Sequence, residues 1–398
     1  MNPLLLSHFT ATSCIGVGLD ETLHSLREGA GGLAPCDFDI VDLDTFIGQV
    51  PGVDAEQIRE DLHDYDCRNN RLAQLGLRQD GFDEAVQAKI DRFGHDRVGV
   101  FLGTSTSGIL QTELAFRRCD PVTGALPADF NYSTTHNTFS VADFVRKYFN
   151  ITGPAMVVST ACSSSAKVFG SAWRMINAGM IDAAIIGGVD SLCLTTLYGF
   201  NSLELVSSTP CRPFDADRDG LSIGEAAAFL MVERKPAEQN DTGAIELLGF
   251  GESSDAYHMS SPHPEGHGAI LAMEMALTSA GLQPSDVDYI NLHGTATPSN
   301  DASEGAAVAR LFGSKLPCSS TKGATGHTLG AAGGLEAVIC ALAIEHGLMP
   351  GGVNITHLDP TLPVEYLTQN REQSVSRVLS NSFGFGGTNC SLVFGTGA

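Results

Sequence analysis

Apolar side chains change their period near residue 160. Val157 and Val158 close an apolar strand, and the residues from Ser159 to Ser165 are all small. Ala166, Phe169, Trp173 and Ile176 then recur at helical spacing. Gly179 supplies the stop. A strand running into a small-residue turn occurs twice more. Val98-Gly99-Val100-Phe101-Leu102 leads into Gly103-Thr104-Ser105-Thr106, and Tyr289-Ile290-Asn291-Leu292-His293 leads into Gly294-Thr295-Ala296-Thr297. Ser-Thr turns open a helix at Ser159-Thr160 and again at Ser320-Thr321. The pattern predicts an internal duplication, with halves at residues 1–237 and 244–398, although unequal spacing shows that they are not simple copies. The polar, turn-rich stretch from Arg234 to Gly243 is the natural joint. Strands alternating with helices on both sides imply layered α/β sheets.

The candidate chemistry sits in those turns. Cys162 stands where a strand breaks into a helix. Free N–H groups and the positive end of the helix then favour its thiolate. The same N–H groups are placed to hold an oxyanion formed when a thioester carbonyl is attacked. A cysteine among small residues is otherwise mere packing. Two segments later in the chain change that balance: His293-Gly294-Thr295-Ala296-Thr297 and Lys322-Gly323-Ala324-Thr325-Gly326-His327. One Cys and two His at strand mouths point to carbon–sulfur acyl chemistry.

Composition bounds the setting. The chain has 398 residues, 43% hydrophobic and 17% charged, as in a soluble globular protein of one large domain or two fused halves. Leu4-Leu5-Leu6 is the only apolar run at the N-terminus and no basic stretch precedes it, so no signal peptide is expected. No apolar stretch of membrane-spanning length is expected either. The ten cysteines form no C-x-x-C pair, which suggests reduced thiols and a cytoplasmic location. A net charge of −23 argues against nucleic acid or an anionic membrane as partner. An acidic protein partner would need a local basic patch. Arg68, Arg71 and Arg78 lie at near-helical spacing, and Arg117-Arg118 form a second cluster, although such residues are usually solvated surface.

Two metal-like patterns are weak. Asp215-Ala216-Asp217-Arg218-Asp219-Gly220 opens like a calcium loop, but the twelfth position is Ala226, with Glu225 one residue early. His258, His263 and His267 are interrupted by Pro262 and Pro264, and no carboxylate or thiol completes a ligand set. A polar loop near the active site is the better reading of that segment.

Taken together, the motifs resemble those of the β-ketoacyl-acyl-carrier-protein synthases of type I/II, within the thiolase-like fold. The matches run through Ser159–Ser165, Arg212-Pro213-Phe214-Asp215 with Asp219-Gly220, and Asp255-Ala256-Tyr257-His258-Met259. They continue through His293–Thr297 and Lys322–Gly333 to Asn381-Ser382-Phe383-Gly384-Phe385-Gly386-Gly387-Thr388-Asn389. The resemblance implies a five-layer αβαβα fold built from two related halves, and a dimer with its active sites near the dimer interface.

It also implies roles. Cys162 would take an acyl chain from acyl carrier protein. His293 and His327 would stabilise the enolate left when malonyl-carrier protein loses carbon dioxide, serving that step more than acylation. Lys322 and Glu336 would orient His327. Thr295 and Thr297 would hold the pantetheine arm. The N–H groups of Cys162 and Phe385 would form the oxyanion hole, and Phe385, with Phe383 beside it, would gate acyl access. Thr106 would line the end of the acyl pocket. Arg68, Arg71, Arg117 and Arg118 would dock the carrier. No metal and no bound cofactor are expected, because the substrates ride on the carrier's phosphopantetheine.

Neighbouring classes differ at identifiable positions. Type III synthases use Asn where His327 stands, biosynthetic thiolases carry a second reactive Cys where this chain has Asn381–Phe385, and chain-length factors lack the nucleophile. Fatty acid elongation is the leading expectation. Ser163-Ser164-Ser165 and Ser299-Asn300-Asp301 look more like polyketide or aryl polyene ketosynthases, so the partner is a second copy or a chain-length factor.

Overall fold

The alternation of strands and helices builds two halves on one strand plan. The computed structural model describes residues 1–38, 41–235 and 243–396. In the first half, β1 (Leu4–Ser13), β2 (Val98–Gly103), β3 (Ala155–Val158), β4 (Ala183–Asp190) and β5 (Ala226–Arg234) lie in the spatial order β3-β2-β4-β5-β1. β2 runs parallel to β3 and β4, while β5 is antiparallel to β4 and β1. In the second half, β6 (Ile245–Ser254), β7 (Tyr289–Asn291), β8 (Pro317–Ser319), β9 (Arg377–Gly384) and β10 (Thr388–Thr396) lie in the order β8-β7-β9-β10-β6. Their directions repeat those of the first half. The halves join through β1 and β6, with Leu4 opposite Leu247 and Leu5 opposite Glu246. Of the joint expected at Arg234–Gly243, residues 236–242 lie outside the described residues.

Helices fill the spaces between and outside the sheets. α1 (Arg68–Leu77), α2 (Phe82–Phe93) and α3 (Ser140–Tyr148) cover the outer face of the first half, where Leu72, Val86 and Phe144 pack with Val100 and Phe229. α4 (Ser164–Asn177) lies on the inner face and buries Phe169 and Ile176. α5 (His267–Ala280) and α6 (Pro298–Phe312) cover the outer face of the second half, with Met273 and Val308 against Ile290 and Val393. α7 (Ala332–His346) joins α4 in the middle layer. The five layers are therefore α, β, α, β, α, as the resemblance implies. In β4, Ala184 and Ile186 face the middle layer while Ala183 and Ile185 face the outer one. A sheet covered on both sides explains why this strand is apolar throughout rather than alternating.

One segment departs from the sequence reading. Leu329–His346 is long and apolar enough to cross a membrane, with a mean hydropathy of 1.4 over 18 residues. Of its residues, 89% are buried inside the protein. A helix apolar on every side suits a core between two sheets as well as it suits lipid.

The approach of α7 to α4 requires glycine at one position. A Cβ on Gly333 would stand 2.7 Å from the backbone nitrogen of Ala166. Gly333→Val is expected to destabilise the protein by about 1–3 kcal/mol through overpacking. Chemical denaturation read by circular dichroism would measure this, and an unchanged midpoint would contradict the packing described.

Candidate active site

β3 ends at Val158, and the chain turns through Ala161, whose φ of +52° lies in the left-handed region. This turn sets Cys162 just ahead of α4. The Ser164 hydroxyl closes the turn, accepting the Thr160 N–H at 2.9 Å and donating to the Ala161 carbonyl at 2.5 Å. The strand, turn and helix read from the apolar spacing are all present.

His293 follows β7. Its N–H and that of Gly294 both donate to the Glu304 carboxylate on α6, at 2.8 Å each. Burial pushes Glu304 up to about 7 despite these donors. Glu304 was not anticipated. The available signal was its position one helical turn after Asp301, on a helix that opens at Pro298 next to the His293 turn. His327 is held differently. Its N–H donates to the Ser222 carbonyl at 2.7 Å, and its carbonyl accepts from Gly224 at 3.0 Å.

The three side chains converge. His327 Nε2 lies 2.9 Å from Cys162 Sγ. The two imidazoles stand nearly perpendicular, 5.3 Å between centroids. Lys322 forms a buried ion pair with Glu336, and its Nζ lies 3.4 Å from His293 Nδ1. Lys322 was expected behind His327; it stands behind His293 instead. An ammonium can only donate, so His293 Nδ1 accepts and the ring carries its proton on Nε2. Burial pushes Glu336 up to about 7 against the pull of Lys322.

Burial decides the charge states. It pushes the Cys162 thiol up to about 11, while Lys322 and the N–H groups of Phe385 and of Cys162 itself pull it down, and Asp190 pushes it up. The expectation of a preformed thiolate therefore fails in the resting site. The helix start is outweighed by loss of water. Burial and the Lys322 charge hold both histidines well below their ordinary value, so both rings are neutral. The 2.9 Å contact then joins a thiol to a neutral imidazole that accepts its proton. Donor atoms of Cys162, His293 and His327 all lie within 4.8 Å of one another. Sulfur and nitrogen ligands on one tetrahedral zinc stand about 3.6 Å apart, so 2.9 Å is hydrogen-bond geometry.

A cleft opens onto these groups. Thr295 and Thr297 line it, their hydroxyls 2.9 Å apart. Phe385 lines it too, with its ring 5.5 Å from that of Phe200, and Phe383 sits 6.0 Å from His293. Asp255, Ser260, Ser261 and Pro262 form one wall. The loop carrying His258 and His263 is thus the polar loop expected at the site, and His263 stacks on His267 at 4.1 Å. The calcium-like segment is occupied otherwise. The Asp215 carboxylate accepts from the N–H groups of Asp217, Thr356 and His357 at 2.8, 2.6 and 2.9 Å.

Several expected residues fall elsewhere. Arg68 is 3% exposed and ion-paired with Glu225 and Asp54, so it cannot form a docking surface. Arg71 is partly exposed and paired with Asp66 at 2.5 Å. Arg118 is exposed and paired with Asp129 at 3.0 Å. Arg117 is exposed with no ion pair among the described residues. Thr106 is 1% exposed and does not line the cleft. Its hydroxyl donates to Asp190 at 2.9 Å and accepts from the Ser191 N–H at 3.2 Å.

A five-layer duplicated fold, with one cysteine and two histidines meeting between its halves, defines a thiolase-like ketosynthase. The chain matches the beta-ketoacyl synthase N-terminal domain over residues 11–237 and the C-terminal domain over residues 244–356, and it belongs to the beta-ketoacyl synthase family. It is 41% identical over 263 residues to the mitochondrial 3-oxoacyl-[acyl-carrier-protein] synthase of Arabidopsis thaliana, covering 62% of this chain and 57% of that protein. It is 33% identical over 409 residues to 3-oxoacyl-[acyl-carrier-protein] synthase 2 of Synechocystis, covering 96% and 95%. Among solved structures it resembles a chain of the ketosynthase ApeO in complex with its chain length factor ApeC from Xenorhabdus doucetiae. The TM-score is 0.89 and the identity 38%, covering 100% of this chain and 98% of that one.

Two outcomes test this geometry. Arg68→Leu strands Glu225 without its buried partner and is expected to cost about 3–5 kcal/mol of stability in urea unfolding; an unchanged midpoint would show that the pair contributes nothing. Lys322→Met removes the charge that lowers both histidines, so their values rise and the acid limb of activity moves to higher pH. An acid limb that stays in place would show that Lys322 does not set the histidine charge state.

Proposed function

We propose that this protein is a β-ketoacyl-[acyl-carrier-protein] synthase that extends an acyl chain by two carbons. The observation that carries the reading is the meeting of a buried thiol, a neutral imidazole 2.9 Å away and a second imidazole in one cleft. In the first half-reaction, His327 takes the thiol proton as sulfur attacks the acyl thioester. The carrier thiol leaves with that proton. In the second, malonyl-carrier protein loses carbon dioxide while His293, a donor through Nε2, holds the enolate oxygen. The carbanion attacks the acyl-cysteine carbonyl, the carbon–sulfur bond breaks, and the Cys162 thiolate takes one proton from solvent to restore the thiol. Thr295 and Thr297 would bind the pantetheine arm, and Phe385 would gate the cleft.

The partner is an acyl carrier protein. Of the candidate docking cations, Arg117 alone remains exposed without an ion pair among the described residues, and Arg71 and Arg118 would have to exchange their carboxylates for the carrier's. All ten cysteines are free, which suits a reducing cytoplasm. A second reading has this chain paired with a chain-length factor in a polyketide or aryl polyene pathway. It is favoured by the likeness to the ApeO complex and by Ser163-Ser164-Ser165. Native mass spectrometry of the protein alone separates these. A stable homodimer that makes 3-oxoacyl products supports the first, and an inactive protein rescued by such a partner supports the second.

Incubation with acyl-carrier protein is expected to add the acyl mass to the peptide containing Cys162, and Cys162→Ala is expected to abolish the adduct. An adduct that persists in that variant would move the nucleophile elsewhere. His293→Ala is expected to lower carbon dioxide release about 100-fold while self-acylation stays within about threefold. His327→Ala, which removes the proton acceptor at the sulfur, is expected to slow self-acylation, against the expectation that both histidines serve decarboxylation more than acylation. Equal losses of both half-reactions in the two variants would erase this division of labour.

A further inference from the structure

Ser163, Ser164 and Ser165 are all fully buried, and each bonds a different part of the site. Ser164 closes its own turn. Ser165 Oγ accepts the Gly334 N–H at 2.8 Å, on the helix that carries Glu336. Ser163 Oγ lies 3.0 Å from the Thr160 carbonyl and 3.1 Å from Thr388 Oγ1. Thr388 Oγ1 in turn donates to the Thr160 carbonyl at 3.1 Å. Thr388 opens β10 directly after Phe385-Gly386-Gly387. The hydroxyl pair therefore spans from the turn that holds Cys162 to the loop that holds Phe385, across a sequence separation of 225 residues.

This bridge falls where the chemistry is most sensitive to spacing. The N–H groups that pull the Cys162 thiol down belong to Cys162 in one half and Phe385 in the other, and by the resemblance they are the oxyanion-hole donors. Other bonds of the Phe385 loop lead away from the nucleophile: Gly386 N–H donates to the Met259 carbonyl at 2.7 Å, and the Gly387 carbonyl accepts from Asp255 at 2.8 Å. The hydrogen bonds found among the described residues between the 159–165 turn and residues 384–388 all end on the Thr388 hydroxyl.

We propose that Ser163 and Thr388 are a positioning pair that sets the separation of the two oxyanion-hole donors during acyl transfer to Cys162. The proposal rests on the ketosynthase reading above. As sulfur bonds to the thioester carbon, the carbonyl electron pair moves to oxygen and the thiol proton moves to His327. Both N–H groups must face that oxygen. Collapse of the intermediate breaks the bond to the carrier sulfur, which takes the proton from His327. Ser163 and Thr388 touch none of the reacting atoms in this scheme and act through the loops they join.

The test compares two reactions of Cys162 in the full chain. Single-turnover acylation by an acyl N-acetylcysteamine thioester passes through an oxyanion, whereas alkylation by iodoacetamide does not. Ser163→Ala and Thr388→Val are each expected to slow acylation about tenfold, within the range that misplaced catalytic groups cost. The double variant is expected to be no slower than the slower single one. Thr388→Ser, which keeps the hydroxyl, is expected to stay within about threefold of the parent, and alkylation to stay within about twofold throughout. Variants that acylate as fast as the parent, losses that multiply in the double variant, or alkylation that falls in step with acylation would each overturn the proposal. If Thr388→Val does not fold, Ser163→Ala and Thr388→Ser still decide it. A parent that takes no acyl group from any thioester sinks the ketosynthase reading and this inference with it; an active parent with unaffected variants sinks the inference alone.

Discussion

The site depends on one buried cation. Lys322 is 1% exposed, and a charge removed from water in this way persists only beside a partner, here Glu336. Its field reaches every reacting group. It opposes the effect of burial on the thiol and adds to it on both imidazoles. A carboxylate in its place would drive the histidines toward their charged forms and leave no proton acceptor beside the sulfur. A neutral residue would leave Glu336 buried without its cation. The ion pair is thus a requirement of the charge states around it, and the packing of α7 between the sheets is what keeps it dry.

The fold was readable because its signals are local. The change of period at residue 160 marks a strand, a turn and a helix in one short stretch, and each appears at its expected place. Paired motifs likewise announced two halves with repeated strand order. The trio of Cys162, His293 and His327 was readable because each member sits at a strand mouth, where backbone pattern and side-chain type coincide. What could not be read is which group faces which. Lys322 precedes His327 by five residues, yet its ammonium turns to His293, which comes close only because β7 and β8 are neighbours in the sheet.

Arg68 shows the same limit from the other side. Its spacing with Arg71 suggests a basic face, and nothing nearby in the sequence reveals that Glu225 lies beneath it. The acid that fails as a calcium ligand is the one that buries the arginine. Glu225 also accepts the N–H groups of Val50 and Leu192, so it knits three segments together before it meets Arg68. Thr106 follows the same logic, since Asp190 draws its hydroxyl away from the cleft. In the thiol, too, the sequence displayed the helix start but not the depth of burial that outweighs it.

The attachment of His327 has a mechanical consequence. By sequence it belongs to the second half, but its main chain is fastened to Ser222 and Gly224 of the first. His293 is fastened to Glu304 within the second half. In any sliding of one half over the other, His327 would travel with the cysteine as a single body. His293 would move with the opposite body. The sulfur–His327 contact is therefore insulated from shear between the halves, while the gap between the two imidazoles is the dimension that such shear would open or close.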